Sequence, residues 1–202
     1  MIERSERLAA ISSGFLRSPI VSILGLRQCG KTTLAKQYAE TQETTAFFDL
    51  ENPLSAATLR EPMSALKSLR GLVVIDEIQR MPELFPILRV LADRPKHTAR
   101  FLILGSASPV LVRSISESLA GRVSLLELPG LTISEVGYSR LRQLWLRGGL
   151  PRSFLAADDK TSLAWRGDFM SLLLERDIPQ LGISVPPTTL RRFWTMLAHF
   201  NV

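Results

Sequence analysis

Eight consecutive residues constrain this chain more than any other stretch: Gly25-Leu26-Arg27-Gln28-Cys29-Gly30-Lys31-Thr32, which reads G-x-x-x-x-G-K-[ST] in full. Two glycines let the backbone curl until successive N–H groups converge, and such a concave nest of amides holds phosphate oxygens. Lys31 is then placed to reach β- and γ-phosphates, and Thr32 to offer a hydroxyl to Mg²⁺. A helix beginning near Lys31 adds the positive end of its dipole to the same point. The candidate cofactor-binding set is Gly25, Arg27, Gln28, Cys29, Gly30, Lys31, Thr32 and Thr33.

A loop of this kind works only between a strand and a helix, and the flanks supply both. Ile20–Leu24 is an apolar run of strand length, and Lys31–Glu40 carries a helical pattern. The alternation continues with strands over Thr44–Leu50, Leu72–Ile75, Arg100–Leu104 and Val123–Leu128. Between them, helices are predicted near Leu54–Arg70 (opened by Asn52-Pro53), from Pro82 to Ala92, and near Val110–Leu119. Unbroken apolar strands separated by helices predict an α/β fold with a parallel five-stranded sheet covered on both faces. After Pro129 the pattern changes. Thr132 and Glu135 form a capping box, and helical segments follow near Ser134–Leu146, Pro151–Ala157, Thr161–Leu174 and Leu190–Phe200. The expected division is therefore 1–131 for the core and 132–202 for a helical region. The last helix has no C-cap signal, which suggests a truncated chain.

Leu72-Val73-Val74-Ile75-Asp76-Glu77 completes the chemistry. A buried strand delivers Asp76 at its carboxyl end, where open α/β sheets bind ligands, so Asp76 joins Thr32 as a candidate metal residue. Glu77, directly after it, can polarise an attacking water, a group that a hydrolase needs and a kinase does not. Ser106, after the next strand, either senses a terminal phosphate or starts a turn. Arg122, opening the last strand, faces a phosphate of its own or a neighbouring subunit, or is simply solvated. Arg27 and Arg113 are weaker candidates of that kind. Candidate catalytic residues are thus Glu77, Lys31, Ser106 and Arg122. Cys29 is a small residue that fits the loop, where amide dipoles tend to lower its pKa. His97 and His199 read as surface or packing residues, and Trp145, Trp165 and Trp194 as core.

Composition narrows the classes. Of 202 residues, 46% are hydrophobic and 22% charged, as in soluble globular domains. One cysteine excludes an intrachain disulfide, and with two separated histidines leaves no structural zinc ligand set. The apolar runs are too short to span a bilayer and the N-terminus is too charged for a signal peptide, so a cytoplasmic location without membrane contact is expected. A net charge of +6 suits DNA or RNA, although the arginines are scattered.

Taken together, these residues resemble the AAA-like P-loop ATPases of prokaryotes (AAA_14 type) whose core precedes a C-terminal domain of the DUF4143 type. The likeness rests on residues 25–34, Phe48-Asp49-Leu50-Glu51-Asn52-Pro53, Asp76-Glu77-Ile78-Gln79 and Leu104-Gly105-Ser106-Ala107-Ser108. It also rests on Ser118-Leu119-Ala120-Gly121-Arg122 and Gly148-Gly149-Leu150-Pro151. The resemblance implies ATP and Mg²⁺ as ligands, Glu77 as the catalytic carboxylate, and Gln79 near the nucleotide. It further implies an additional-strand sheet order, with one strand between the loop strand and the Asp76 strand. Hydrolysis coupled to movement of the helical region is the leading expectation, and a slow nucleotide-gated switch or nucleic-acid-binding module the alternative. A homo-oligomer through Arg122 would place that arginine in trans.

Overall fold

In the computed structural model, which describes residues 2–94, 99–180 and 184–200, the apolar runs become strands β1 (Ile20–Gly25), β2 (Thr45–Asp49), β3 (Gly71–Asp76), β4 (Ala99–Ser106) and β5 (Val123–Glu127). They form one parallel sheet in the order β2-β3-β4-β1-β5. The additional strand is β4, which separates the loop strand β1 from the Asp76 strand β3, as the resemblance implied.

Period-two alternation divides each strand between two cores. Ile20, Leu24, Val73, Ile75, Phe101 and Ile103 face helices α5 (Leu84–Ala92) and α6 (Pro109–Leu119) through Phe85, Leu88, Leu111 and Ile115. Val21, Ile23, Leu72, Val74, Leu102 and Leu104 face α1 (Ser5–Arg17) and α2 (Lys31–Glu40) through Ile11, Phe15, Leu34 and Tyr38. Burial on both faces explains why the strands read as continuous apolar runs. Because the strands are parallel, Gly25, Asp49, Asp76 and Ser106 all end at one edge of the sheet.

Several helices differ from expectation. Helix α1 was not anticipated from the charged N-terminus. The single helix over Leu54–Arg70 is two, α3 (Pro53–Thr58) and α4 (Pro62–Leu66), because Pro62 lacks an N–H and its ring excludes a continuous helix. Asn52 caps α3 as predicted, accepting from the Leu54 N–H at 2.9 Å. The helix over Ser134–Leu146 breaks at Gly137, whose φ of 82° leaves α7 (Ile133–Val136), a 3-10 turn and α8 (Leu141–Arg147). Helices α9 (Pro151–Phe154) and α10 (Asp159–Leu172) follow, then a π-helical turn over Leu173–Asp177, α11 (Ile178–Gln180) and α12 (Pro187–Phe200). Trp145 is not a core residue. It is 88% exposed, on a stripe with exposed Tyr138 and Leu141, while Trp165 stacks half-buried on Phe169. His199 is exposed, and His97 lies outside the described residues. No helix among the described residues is long and apolar enough to cross a membrane.

Candidate functional site

The loop after β1 turns through two left-handed residues, Gln28 (φ 62°) and Gly30 (φ 97°), and Gly30 caps the start of α2. These conformations bring the Gly25–Thr32 backbone around the amino end of a ten-residue helix. Lys31 is only 5% exposed, and its ammonium donates to the Gly25 carbonyl at 3.1 Å and the Leu26 carbonyl at 2.9 Å. A buried ammonium persists only where fixed dipoles compensate it, and here the loop's own carbonyls do so. Thr33, included in the predicted set, is exposed in the first turn of α2.

Asp76 ends β3, 3% exposed, between two donors. Its Oδ2 accepts from the Thr32 hydroxyl at 2.6 Å and its Oδ1 from the Glu77 N–H at 2.9 Å. Burial pushes its carboxyl above the usual range, and nearby Asp49 adds to this. The Thr32 hydroxyl, the Glu77 N–H and the Lys31 charge offset only part. A carboxylate held costly in this way gains from a cation. Thr32 and Asp76 present two hard oxygens side by side, which suits Mg²⁺, an ion that completes its shell with phosphate oxygens and water. No group of three or more His, Cys, Asp or Glu able to cage a metal occurs among the described residues.

Glu77 adopts φ 55°, a left-handed conformation unusual for a residue with a side chain. Gln79 Nε2 donates to the Glu77 carboxylate. Two nearby polar atoms, Gln79 Oε1 and Ser106 Oγ, are buried without a protein partner. Ser106 is the last residue of β4, in register with Gly25, and the cap of α6 is Ser108, which accepts from the Leu111 N–H at 3.2 Å. Ser106 and Gln79 line a cavity of about 270 Å³ together with Leu26, Arg27, Leu173 and Asp177. A larger cavity, about 470 Å³, lies at the opposite edge around Arg17, Pro19 and Arg100 and contains none of the predicted residues.

Other predicted residues fall differently. Arg122 stands at the amino edge of the sheet, because Val123 pairs with Ile20 at the start of β1. The length of β1, roughly 16 Å at about 3.3 Å per residue, separates it from Gly25. Its guanidinium is bidentate on Asp93, at 2.5 and 2.8 Å, so it does not reach the phosphate loop of its own chain. Arg113 is exposed and pairs with Glu117. Arg27 does sit at the loop, 3.5 Å from Asp177 of the π-helical turn. Cys29 departs from expectation, since it is fully buried and burial raises its thiol pKa, outweighing the Lys31 and Arg4 charges and the backbone donors that lower it.

One residue at the site had no signal in the sequence. Arg4, 5% exposed, donates to the Cys29 carbonyl inside the loop, to the Pro129 and Gly130 carbonyls, and to both oxygens of Glu135. Glu135 is the capping-box residue of α7 and also accepts from the Thr132 N–H. Burial pushes its carboxyl up, but hydrogen bonds from Arg4 and Thr132 with the Arg4 charge outweigh this and hold it below the ordinary value.

Comparison with known proteins bears on the family and the fold. Residues 17–137 match the family model described as an AAA domain. Residues 138–201 match a domain of unknown function, DUF8612, so the expected DUF4143-type region is met only in part. Uncharacterised proteins of Mycobacterium tuberculosis (Rv2008c) and Mycobacterium bovis (Mb2031c) are each 53% identical over 201 residues, covering all of this chain and 45% of theirs. The chain thus spans about half the length of these relatives. Among solved structures, the Walker-type ATPase PABY2304 of Pyrococcus abyssi superposes with a TM-score of 0.64 at 15% identity, covering 90% of this chain and 75% of that one. The ORC2 protein of Aeropyrum pernix, solved in ADPNP–ADP complexes, gives 0.50 at 20% identity over 87% and 63%. At such identities the likeness shows the fold, that of a P-loop NTPase.

Proposed function

The chain belongs to the AAA domain family, and on that premise we propose that it binds ATP with Mg²⁺ at the Gly25–Thr32 loop and hydrolyses it. The observation carrying this reading is the convergence, at one edge of the sheet, of the phosphate loop, the Thr32–Asp76 pair and the Glu77 carboxylate. Loop amides and the start of α2 bind the phosphates, and Lys31 exchanges its loop carbonyls for β- and γ-phosphate oxygens. Thr32 and Asp76 would hold Mg²⁺, whose charge would offset that of the phosphates. Glu77 accepts a proton from water as the water oxygen bonds to the γ-phosphorus. The bond from that phosphorus to the bridging oxygen breaks, and its electron pair leaves with ADP. Ser106, beside this path, orients the water or the γ-phosphate. The choice of adenine is supported by the family and by the lack of an Asn-Lys-x-Asp segment for reading guanine.

A second reading, a slow nucleotide-gated switch, draws support from the Gln79 amide bonded to Glu77, which engages the base before any water does. In either case the helical region is the element that moves, since Arg27 and Arg4 tie the loop to Asp177 and Glu135. Phosphate release from ATP and from GTP, with and without DNA, tests the proposal. Steady release from ATP alone supports an ATPase, a single turnover supports the switch, and equal use of GTP contradicts the adenine assignment.

A further inference from the structure

The loop amides can serve phosphate only if their peptides face the right way, and one of those peptides is held from outside the loop. Arg4 Nη1 donates to the Cys29 carbonyl at 3.1 Å. The Cys29–Gly30 peptide is trans, so its C=O and N–H point in opposite directions. With the carbonyl turned to Arg4, the Gly30 N–H points away from it. Arg4 is itself fixed by a fork-to-fork pair with Glu135, Nε to Oε1 at 2.6 Å and Nη2 to Oε2 at 3.1 Å. Both side chains are nearly inaccessible, 6% and 3% exposed. The Pro129 and Gly130 carbonyls take the remaining Nη2 contacts at 3.2 Å.

From this arrangement we infer that Arg4 is a positioning residue for the phosphate loop, and that its pair with Glu135 makes loop geometry depend on docking of the α7 region. Neither residue touches the reacting atoms. When α7 is docked, Glu135 aims the guanidinium, the guanidinium holds the Cys29 carbonyl, and the Gly30 amide keeps its direction. When α7 lifts, Arg4 loses the partner that orients it and the loop peptide is free to turn. The dependence is reciprocal, so phosphate that fixes the Gly30 amide also favours docked α7. In its second half, the effect on ATP, this inference rests on the function proposed above.

The chain's single cysteine lies in the loop beside the tested peptide and is fully buried, so its reaction with a thiol reagent reports opening around the loop, and a stability control separates this from global unfolding. Labelling of nucleotide-free protein is compared for wild type, Arg4→Lys, Glu135→Gln and Leu88→Ala. The last removes packing from the core on the other face of the sheet and serves as a stability control. Lysine keeps the charge of Arg4 but not its fork. Arg4→Lys and Glu135→Gln are expected to speed labelling roughly tenfold, the scale of losing one charge-assisted bond. At matched loss of thermal stability, Leu88→Ala should speed it far less. ATP affinity of folded Glu135→Gln should fall by a similar roughly tenfold factor. Equal labelling in Glu135→Gln and the stability-matched Leu88→Ala overturns the inference, as does wild-type labelling in Glu135→Gln. Should Arg4→Lys not fold, Glu135→Gln alone decides. Faster labelling in a protein that binds no ATP supports the tie and overturns only the functional reading.

Discussion

The Thr32 hydroxyl donates to the Asp76 carboxylate at 2.6 Å, across 44 residues of sequence and from the first turn of α2 to the end of β3. This bond joins the two halves of the proposed site, and it forms although burial disfavours the charge on Asp76. Asp76→Asn is expected to abolish at least nine-tenths of the affinity that Mg²⁺ adds to ATP binding, with metal-free binding little changed, in titrations with and without Mg²⁺. The folded-state pKa is raised, so the ionised group costs stability at neutral pH. The neutral amide should therefore leave the nucleotide-free Tm equal or higher. A clear fall in Tm would contradict this account of Asp76.

Lys31 is pre-folded onto the Gly25 and Leu26 carbonyls. Lys31→Ala should weaken ATP binding by roughly a hundredfold, the scale of losing charge-assisted bonds to phosphate in a shielded site. Far-UV circular dichroism should remain that of the wild type. Equilibrium titration with a fluorescent ATP analogue measures the loss.

Glu135 sets an acid limit. Its folded-state pKa lies below the unfolded value, near 4.5, so its contribution is fully present above that value and disappears as pH falls through the folded pKa. Thermal unfolding of wild type and Glu135→Gln from pH 7 to pH 3 should show a gap that is constant near neutrality and closes below about pH 4.5. A gap that does not narrow would mean the carboxylate charge contributes little.

Arg122 is bonded to Asp93 at the amino edge of the sheet. In dilute solution Arg122→Ala should leave turnover per mole of protein unchanged. A loss appearing only as protein concentration rises would reveal a role toward a neighbouring subunit, and a loss at every concentration would contradict the placement.

The parts of this molecule legible from sequence were those whose chemistry is local. Strands such as Leu72–Ile75 read clearly because burial on both faces leaves no polar interruption. The phosphate loop, Thr32 and Asp76 read clearly because each occupies a set place relative to a strand end. The own-chain alternative for Arg122 could have been set aside from the sequence: in an all-parallel sheet, a residue opening a strand stands at the edge away from the loop. Pro62 and Gly137 likewise marked helix breaks within apolar patterns that otherwise looked continuous. Arg4 carried no such signal, because it binds backbone carbonyls 25 and more than 120 residues away, and any residue supplies a carbonyl. Trp145 shows the limit of periodicity, which identifies a helix face without saying whether anything covers it.

The central claim, that this site hydrolyses ATP through Glu77, is tested most directly by Glu77→Gln. Nucleotide affinity and phosphate release should be measured on the same preparation. The account predicts ATP bound with near wild-type affinity and release slowed by at least a hundredfold, the scale of losing a general base. Phosphate release at the wild-type rate from the folded variant would contradict it.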